Sequence, residues 1–84
     1  MADIIIYTKD YCPYCVKAKK LLEIKKQQFK EIDLTKEPEA AAKMVELAGG
    51  RKTVPQIFIN GKHVGGCDDL YALNDKGELD TLLG

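Results

Sequence analysis

Ile4-Ile5-Ile6-Tyr7, then Thr8-Lys9-Asp10-Tyr11, then Cys12-Pro13-Tyr14-Cys15 is the stretch on which the fold turns. The continuous apolar run reads as a strand buried on both faces. Behind the cysteine pair, Cys15, Ala18, Leu21 and Leu22 recur with helical spacing and predict a helix from about Pro13 to Ile24. The pair therefore occupies a strand-to-helix turn. A cysteine in that position stands at a helix N-terminus, where unpaired backbone N–H groups and the positive end of the macrodipole favour a thiolate over a thiol. Cys15 follows one turn later and can reach back to close a disulfide with Cys12. Pro13 takes the first helical position, where its missing N–H is no loss and its fixed φ is already helical. Such a pair also begins many zinc sites, and it is the strand–motif–helix setting that points to a dithiol redox site.

Outward from this stretch, Gln28 to Asp33 reads as a second strand. Thr35 and Pro38 mark a helix start, Ala41, Met44, Val45 and Ala48 supply helical spacing, and Gly49-Gly50 ends it. Gln56 to Ile59 and Lys62 to Gly65 flank Asn60-Gly61, a short hairpin signal. Asp68 or Asp69 can cap a third helix holding Leu70 and Leu73. Asn74 to Gly77 reads as a turn, and Leu79, Leu82 and Leu83 suit a short closing helix. The order is βαβ, helix, ββ, helix. It predicts an α/β domain spanning 1–84, with a four-stranded mixed sheet made of a βαβ unit plus an antiparallel hairpin, flanked by helices. The Cys12 loop lies at the carboxyl end of strand one, where open α/β sheets carry their sites.

Composition narrows the class. Eighty-four residues with 45% apolar and 31% charged content suit one ordinary small globular domain. Thirteen basic residues balance thirteen acidic ones, which gives no electrostatic case for nucleic acid or an anionic membrane. The first residues lack a basic segment, and the apolar run is too short for a signal peptide or a membrane span. Three cysteines without a secretion signal fit a reducing compartment, so a cytoplasmic location is expected, an organelle matrix being the other compatible one.

Tyr11-Cys12-Pro13-Tyr14-Cys15, Thr53-Val54-Pro55 and Gly65-Gly66-Cys67-Asp68-Asp69 occur in that order. With these elements the whole chain resembles a glutaredoxin, a dithiol member of the thioredoxin-like fold, and is most similar to the short bacterial type. Thioredoxins resemble it less: they carry a Trp before a C-G-P-C motif, and this chain has no Trp. The resemblance implies catalysis by Cys12 and Cys15, with glutathione as reducing co-substrate and no tightly bound cofactor or metal. It further implies disulfide-containing or glutathionylated proteins as partners, the simplest assembly being a monomer. Pro55 is expected to be cis, turning Val54 so that its N–H and C=O meet an extended peptide, a one-residue β-augmentation beside Thr53. Gly66 and Cys67 at a helix start suit the γ-glutamyl carboxylate, and Asp68 suits its α-ammonium. Arg51, Lys9 and Lys52 are candidates for the ligand's glycine carboxylate, and Tyr14 for a wall of the groove. Each of these four side chains has an ordinary alternative, as a solvated charge or as packing on its own helix.

A low thiol pKa has a specific use in this chemistry. A free Cys with pKa ~8.5 is only ~3% thiolate at pH 7, and a drop to ~5 gains about 30-fold in thiolate. Nucleophilicity falls with β ~0.5, a loss of about 50-fold over the same shift, so attack gains nothing. The gain lies in leaving-group ability when a second thiol resolves a Cys12 mixed disulfide.

Two other classes compete with this reading. Cys12, Cys15, His63 and Cys67 formally supply the three sulfurs and one nitrogen of a zinc site, and a glutathione-ligated iron–sulfur cluster is a related form. A small redoxin served by thioredoxin reductase keeps the chemistry but changes the reductant. Cys67 itself reads as a bystander whose backbone N–H matters more than its sulfur, with glutathionylation as the alternative.

Overall fold

Alternation along two central strands divides the molecule into two packed layers. The computed structural model describes residues 2–84, in the order β1 (Ile4–Thr8), α1 (Pro13–Ile24), β2 (Lys30–Asp33), α2 (Ala40–Leu47), β3 (Gln56–Ile59), β4 (Lys62–Gly65), α3 (Cys67–Asp75) and α4 (Glu78–Leu83). The strands form one sheet in the order β2-β1-β3-β4. β1 pairs parallel with β2 and antiparallel with β3, and β3 pairs antiparallel with β4. This is the four-stranded mixed sheet expected from the order of elements.

Successive side chains of a strand point to opposite faces. Ile4 and Ile6 of β1 and Ile57 and Ile59 of β3 therefore share one face, where they pack with Ala18, Leu21, Leu22, Leu70 and Leu79 from α1, α3 and α4. Tyr7 and Phe58 take the other face, with Leu34, Met44 and Ala48. Their rings meet edge to face with centroids 5.8 Å apart. Asn60 and Gly61 both have positive φ, 52° and 80°, as a tight two-residue hairpin turn requires.

Four boundaries differ from the sequence reading. β2 starts at Lys30, not Gln28, because pairing with β1 begins at Ile5↔Lys30. α2 starts at Ala40, not Thr35: the Asp33 carboxylate accepts the Thr35 N–H at 2.8 Å, and the Asp33 carbonyl accepts those of Lys36 and Glu37. These bonds hold the segment in turns, and the one from the Thr35 N–H is the main cause that keeps the Asp33 carboxyl below the usual carboxylate range. α3 begins at Cys67 with Gly66 as its N-cap, so neither Asp68 nor Asp69 is the cap. α3 also runs through Asn74 and Asp75, and the reversal is left to Gly77 at φ 76°. Among the described residues no helix is long and apolar enough to cross a membrane.

Candidate active site

Tyr11, with φ 56° and its ring wholly exposed, turns the chain from β1 into the cysteine pair. Positive φ on an aromatic residue is a strained conformation of the kind that gathers at functional sites. Cys12 follows in an extended conformation and serves as N-cap of α1. Its Sγ accepts the Cys15 N–H at 3.2 Å, and its carbonyl accepts the Val16 N–H at 3.1 Å. A helix-opening N–H is thus satisfied by a sulfur. The two cysteines, with Cα atoms 5.2 Å apart, are joined as a disulfide. They differ in access: Cys12 is half-buried, whereas Cys15 is only 1% exposed.

Opposite Cys12 stands the loop before β3. The Val54-Pro55 peptide bond is cis, as the resemblance implied, and the Val54 carbonyl oxygen lies 3.9 Å from Cys12 Sγ. From this point a groove of about 140 Å³ runs to the N-terminus of α3, lined by Tyr14, Arg51, Thr53, Val54, Pro55, Gly66, Cys67 and Asp68, with Asp69 beside them. The fold thus gathers most of the sequence-predicted site residues into one depression. Lys9 is not among them. It lines a separate cavity of about 450 Å³, which Cys12 and Cys15 themselves line together with Lys19 and Glu31. There burial raises the Glu31 carboxyl, but the Thr8 hydroxyl at 2.7 Å and Lys19 at 3.0 Å outweigh it and hold it below its ordinary range. Lys52 is exposed and lines neither space.

Asp69 closes the far end of the groove. Its carboxylate accepts the Gly66 N–H at 2.8 Å and pairs with Arg51 Nη1 at 3.0 Å, and these two partners, Gly66 first, hold its carboxyl below the ordinary value. The N–H groups of Cys67 and Asp68 in the first turn of α3 have no intrahelical acceptor, which suits them to an anion. Gly65 is required here. Its φ is 121°, and a Cβ on it would run into the Asp69 carboxylate. Burial pushes the Cys67 thiol up, with Lys17 offsetting only part of the effect, so this sulfur is poorly placed to react.

Sequence reasoning singled out His63 only as a formal metal ligand. Its Nε2 instead lies 2.7 Å from the Gln56 amide oxygen, and its ring packs on Phe58 with centroids 5.0 Å apart. Among the described residues no group of three or more His, Cys, Asp or Glu side chains is arranged to hold a metal ion, and the set Cys12, Cys15, His63 and Cys67 is not brought together. Gln56 escaped the sequence reading, where it was no more than the first residue of a strand.

The glutaredoxin family profile matches residues 4–64. Glutaredoxin 3 of Escherichia coli (strain K12) is 51% identical over 83 residues, covering 99% of this chain and 99% of its own length. The solution structure of glutaredoxin from Brucella melitensis is 59% identical with a TM-score of 0.85, over 99% of this chain and 89% of that one. The crystal structure of a buckwheat glutaredoxin–glutathione complex superimposes with a TM-score of 0.87 at 32% identity, over 98% of this chain and 76% of that one. A thioredoxin-like mixed sheet, a disulfide-forming pair at the head of its first helix and a family match over most of the sequence lead to one conclusion: the chain belongs to the glutaredoxin family of thiol–disulfide oxidoreductases.

Proposed function

We propose that this chain is a glutathione-dependent oxidoreductase that reduces protein disulfides and glutathione mixed disulfides, acting as a single-domain monomer in the cytoplasm. The observation that carries the reading is the groove. One end is lined by Val54, whose carbonyl oxygen lies 3.9 Å from Sγ of the half-buried Cys12, and the other is the open N-terminus of α3, which is the layout an extended tripeptide thiol needs. The relative solved with glutathione bound supports the same ligand.

In this reading the reduced Cys12 thiolate attacks the glutathionyl sulfur of a mixed disulfide, and the protein thiolate leaves and takes up a proton. A second glutathione thiolate then attacks the glutathionyl sulfur on Cys12, forming oxidised glutathione and releasing the Cys12 thiolate. For a protein disulfide, Cys12 attacks one sulfur, and Cys15 attacks Cys12 in the resulting mixed disulfide. That step leaves the Cys12–Cys15 disulfide, which two glutathiones reduce. The backbone of Val54 pairs with the glutathione cysteine next to Cys12. The N–H groups of Cys67 and Asp68 hold the γ-glutamyl carboxylate, that of Gly66 being taken by Asp69, and the Asp68 carboxylate holds the ligand's ammonium. Arg51, ion-paired with Asp69 beside Gly66, adds its positive charge at this same end, with Thr53, Pro55 and Tyr14 as walls of the groove. Lys9 acts from the separate cavity that the pair also lines, through its positive potential at Cys12.

The deciding experiment compares reduction of a glutathionylated peptide coupled to glutathione and glutathione reductase with the same reaction coupled to thioredoxin reductase. Turnover with the first system is expected. Turnover only with the second would overturn glutathione as the reductant.

A further inference from the structure

Gln56 is a wholly buried polar side chain outside the machinery described above, 0% exposed at the start of β3. Its amide nitrogen donates to the Thr53 carbonyl at 3.0 Å and to the Thr53 hydroxyl at 3.2 Å. Its amide oxygen lies 2.7 Å from His63 Nε2. The Thr53 carbonyl can only accept, so the amide end facing it must be nitrogen. The oxygen then faces His63, and His63 Nε2 must carry the proton. The chain of donors therefore runs in one direction, from His63 on β4 through Gln56 to Thr53 in the loop.

The Thr53 carbonyl and the Val54 N–H belong to the same planar peptide group, and the Thr53-Val54 bond is trans. In such a group the C=O and N–H point in opposite directions. A carbonyl drawn inward by buried Gln56 turns the Val54 N–H outward, on the side of the groove. Among the described residues that N–H meets no acceptor. Resting on the glutathione-dependent reading, we infer that Gln56, held by His63, is a positioning residue that aims the Val54 N–H at the backbone of the glutathionyl ligand. The histidine on the hairpin thus contributes to recognition without touching the ligand.

The test is steady-state kinetics on a glutathionylated peptide with three variants. Gln56→Glu keeps the size and the acceptor for His63 but turns an acceptor oxygen on the Thr53 carbonyl. Gln56→Met removes both ends. His63→Phe keeps a ring against Phe58 and leaves the Gln56 amide free to rotate. Both Gln56 variants should raise KM about tenfold, the size expected when one aimed hydrogen bond is lost. Turnover number and the rate of Cys12 alkylation by iodoacetamide should stay within about twofold, because the sulfur's own environment is untouched. His63→Phe should raise KM in the same direction. If a Gln56 variant lacks a cooperative melt, His63→Phe decides alone. Unchanged KM in folded variants, or a fall in turnover number alone, would overturn the positioning role while leaving the glutathione reading intact. Absence of wild-type turnover on the glutathionylated peptide would overturn both.

Discussion

At Cys12 the half-buried sulfur lies 3.9 Å from the Val54 carbonyl and receives a helix-opening N–H, while Cys15, three residues on, is only 1% exposed. That difference in access sets the expected division of labour. Removing glutathione from a glutathionylated peptide needs one reachable thiol, so Cys15→Ser should keep this activity or raise it, since no internal disulfide competes. Reduction of a protein disulfide through the dithiol should collapse in the same variant, and Cys12→Ser should lose both. Assays of the two variants on a glutathionylated peptide and on a protein disulfide check this. Deglutathionylation surviving in Cys12→Ser but not in Cys15→Ser would reverse the roles. In the proposed function Asp68 is the other residue whose charge serves the ligand. Asp68→Asn should raise the KM for glutathione about tenfold, toward the lower end of what a charge-assisted contact contributes because the side chain is exposed. A KM equal to wild type would remove Asp68 from the site. The cysteine pair was legible in the sequence, because its neighbours in the chain carry the signal. Gln56 was not, because its partners Thr53 and His63 meet it only through a loop and the β3–β4 register.

The same contrast holds for elements. Helix α1 was legible end to end, since Pro13 fixes its start and its apolar spacing is regular. The start of α3 was misread by two or three residues, because the capping interaction comes from inside the helix. Asp69, at the third helical position, reaches back to the Gly66 N–H, and from sequence an Asp there looks like a cap itself. The ion pair with Arg51 ties this helix end to the segment following α2, so the Asp69 carboxylate braces both walls of the groove. Its carboxyl is depressed in the folded protein from an ordinary value of 3.8. The unfolded chain therefore binds that proton more tightly. The stability due to Asp69 is complete above the ordinary value and is lost as pH falls through it toward the native value. Asp33 and Glu31 are depressed too and shift stability in the same direction, so the measurement must be a difference. The gap in melting temperature between wild type and Asp69→Asn should be widest near neutral pH and close as pH falls below about 4. A gap independent of pH would show that the carboxylate's charge is not what matters. Gly65→Ala should disturb the same brace by steric means, with a loss of stability of at least 1 kcal/mol or so at a positive φ that alanine resists.

Across the whole molecule the sheet is covered unequally. One face carries three helices, and α1, α3 and α4 all send fully buried leucines or alanine into it. The other face has α2 alone, whose sole fully buried side chain is Met44, 1% exposed, with Ala48 just beyond the helix end. Exposed backbone hydrogen bonds over a thin apolar layer are the mark of a unit that opens before the rest. Amide hydrogen exchange should therefore place α2 at a lower opening free energy than β1 and β3, which are packed on both faces. Met44→Ala should widen that difference, removing about 2–5 kcal/mol of packing from the thin side. In a domain whose total stability is on the order of 5–15 kcal/mol, that is a large share, worth roughly 4–8 °C in melting temperature per kcal/mol. The consequence reaches the site, because Arg51, Thr53 and Val54 hang from the chain directly after α2, whereas Cys12 and Cys15 hang from β1 and α1. A loosened α2 should weaken glutathione binding while leaving the alkylation rate of Cys12 close to wild type. Equal protection of α2 and β1 amides in the wild-type protein would defeat this picture, as would a Met44→Ala variant that loses Cys12 reactivity and ligand affinity together.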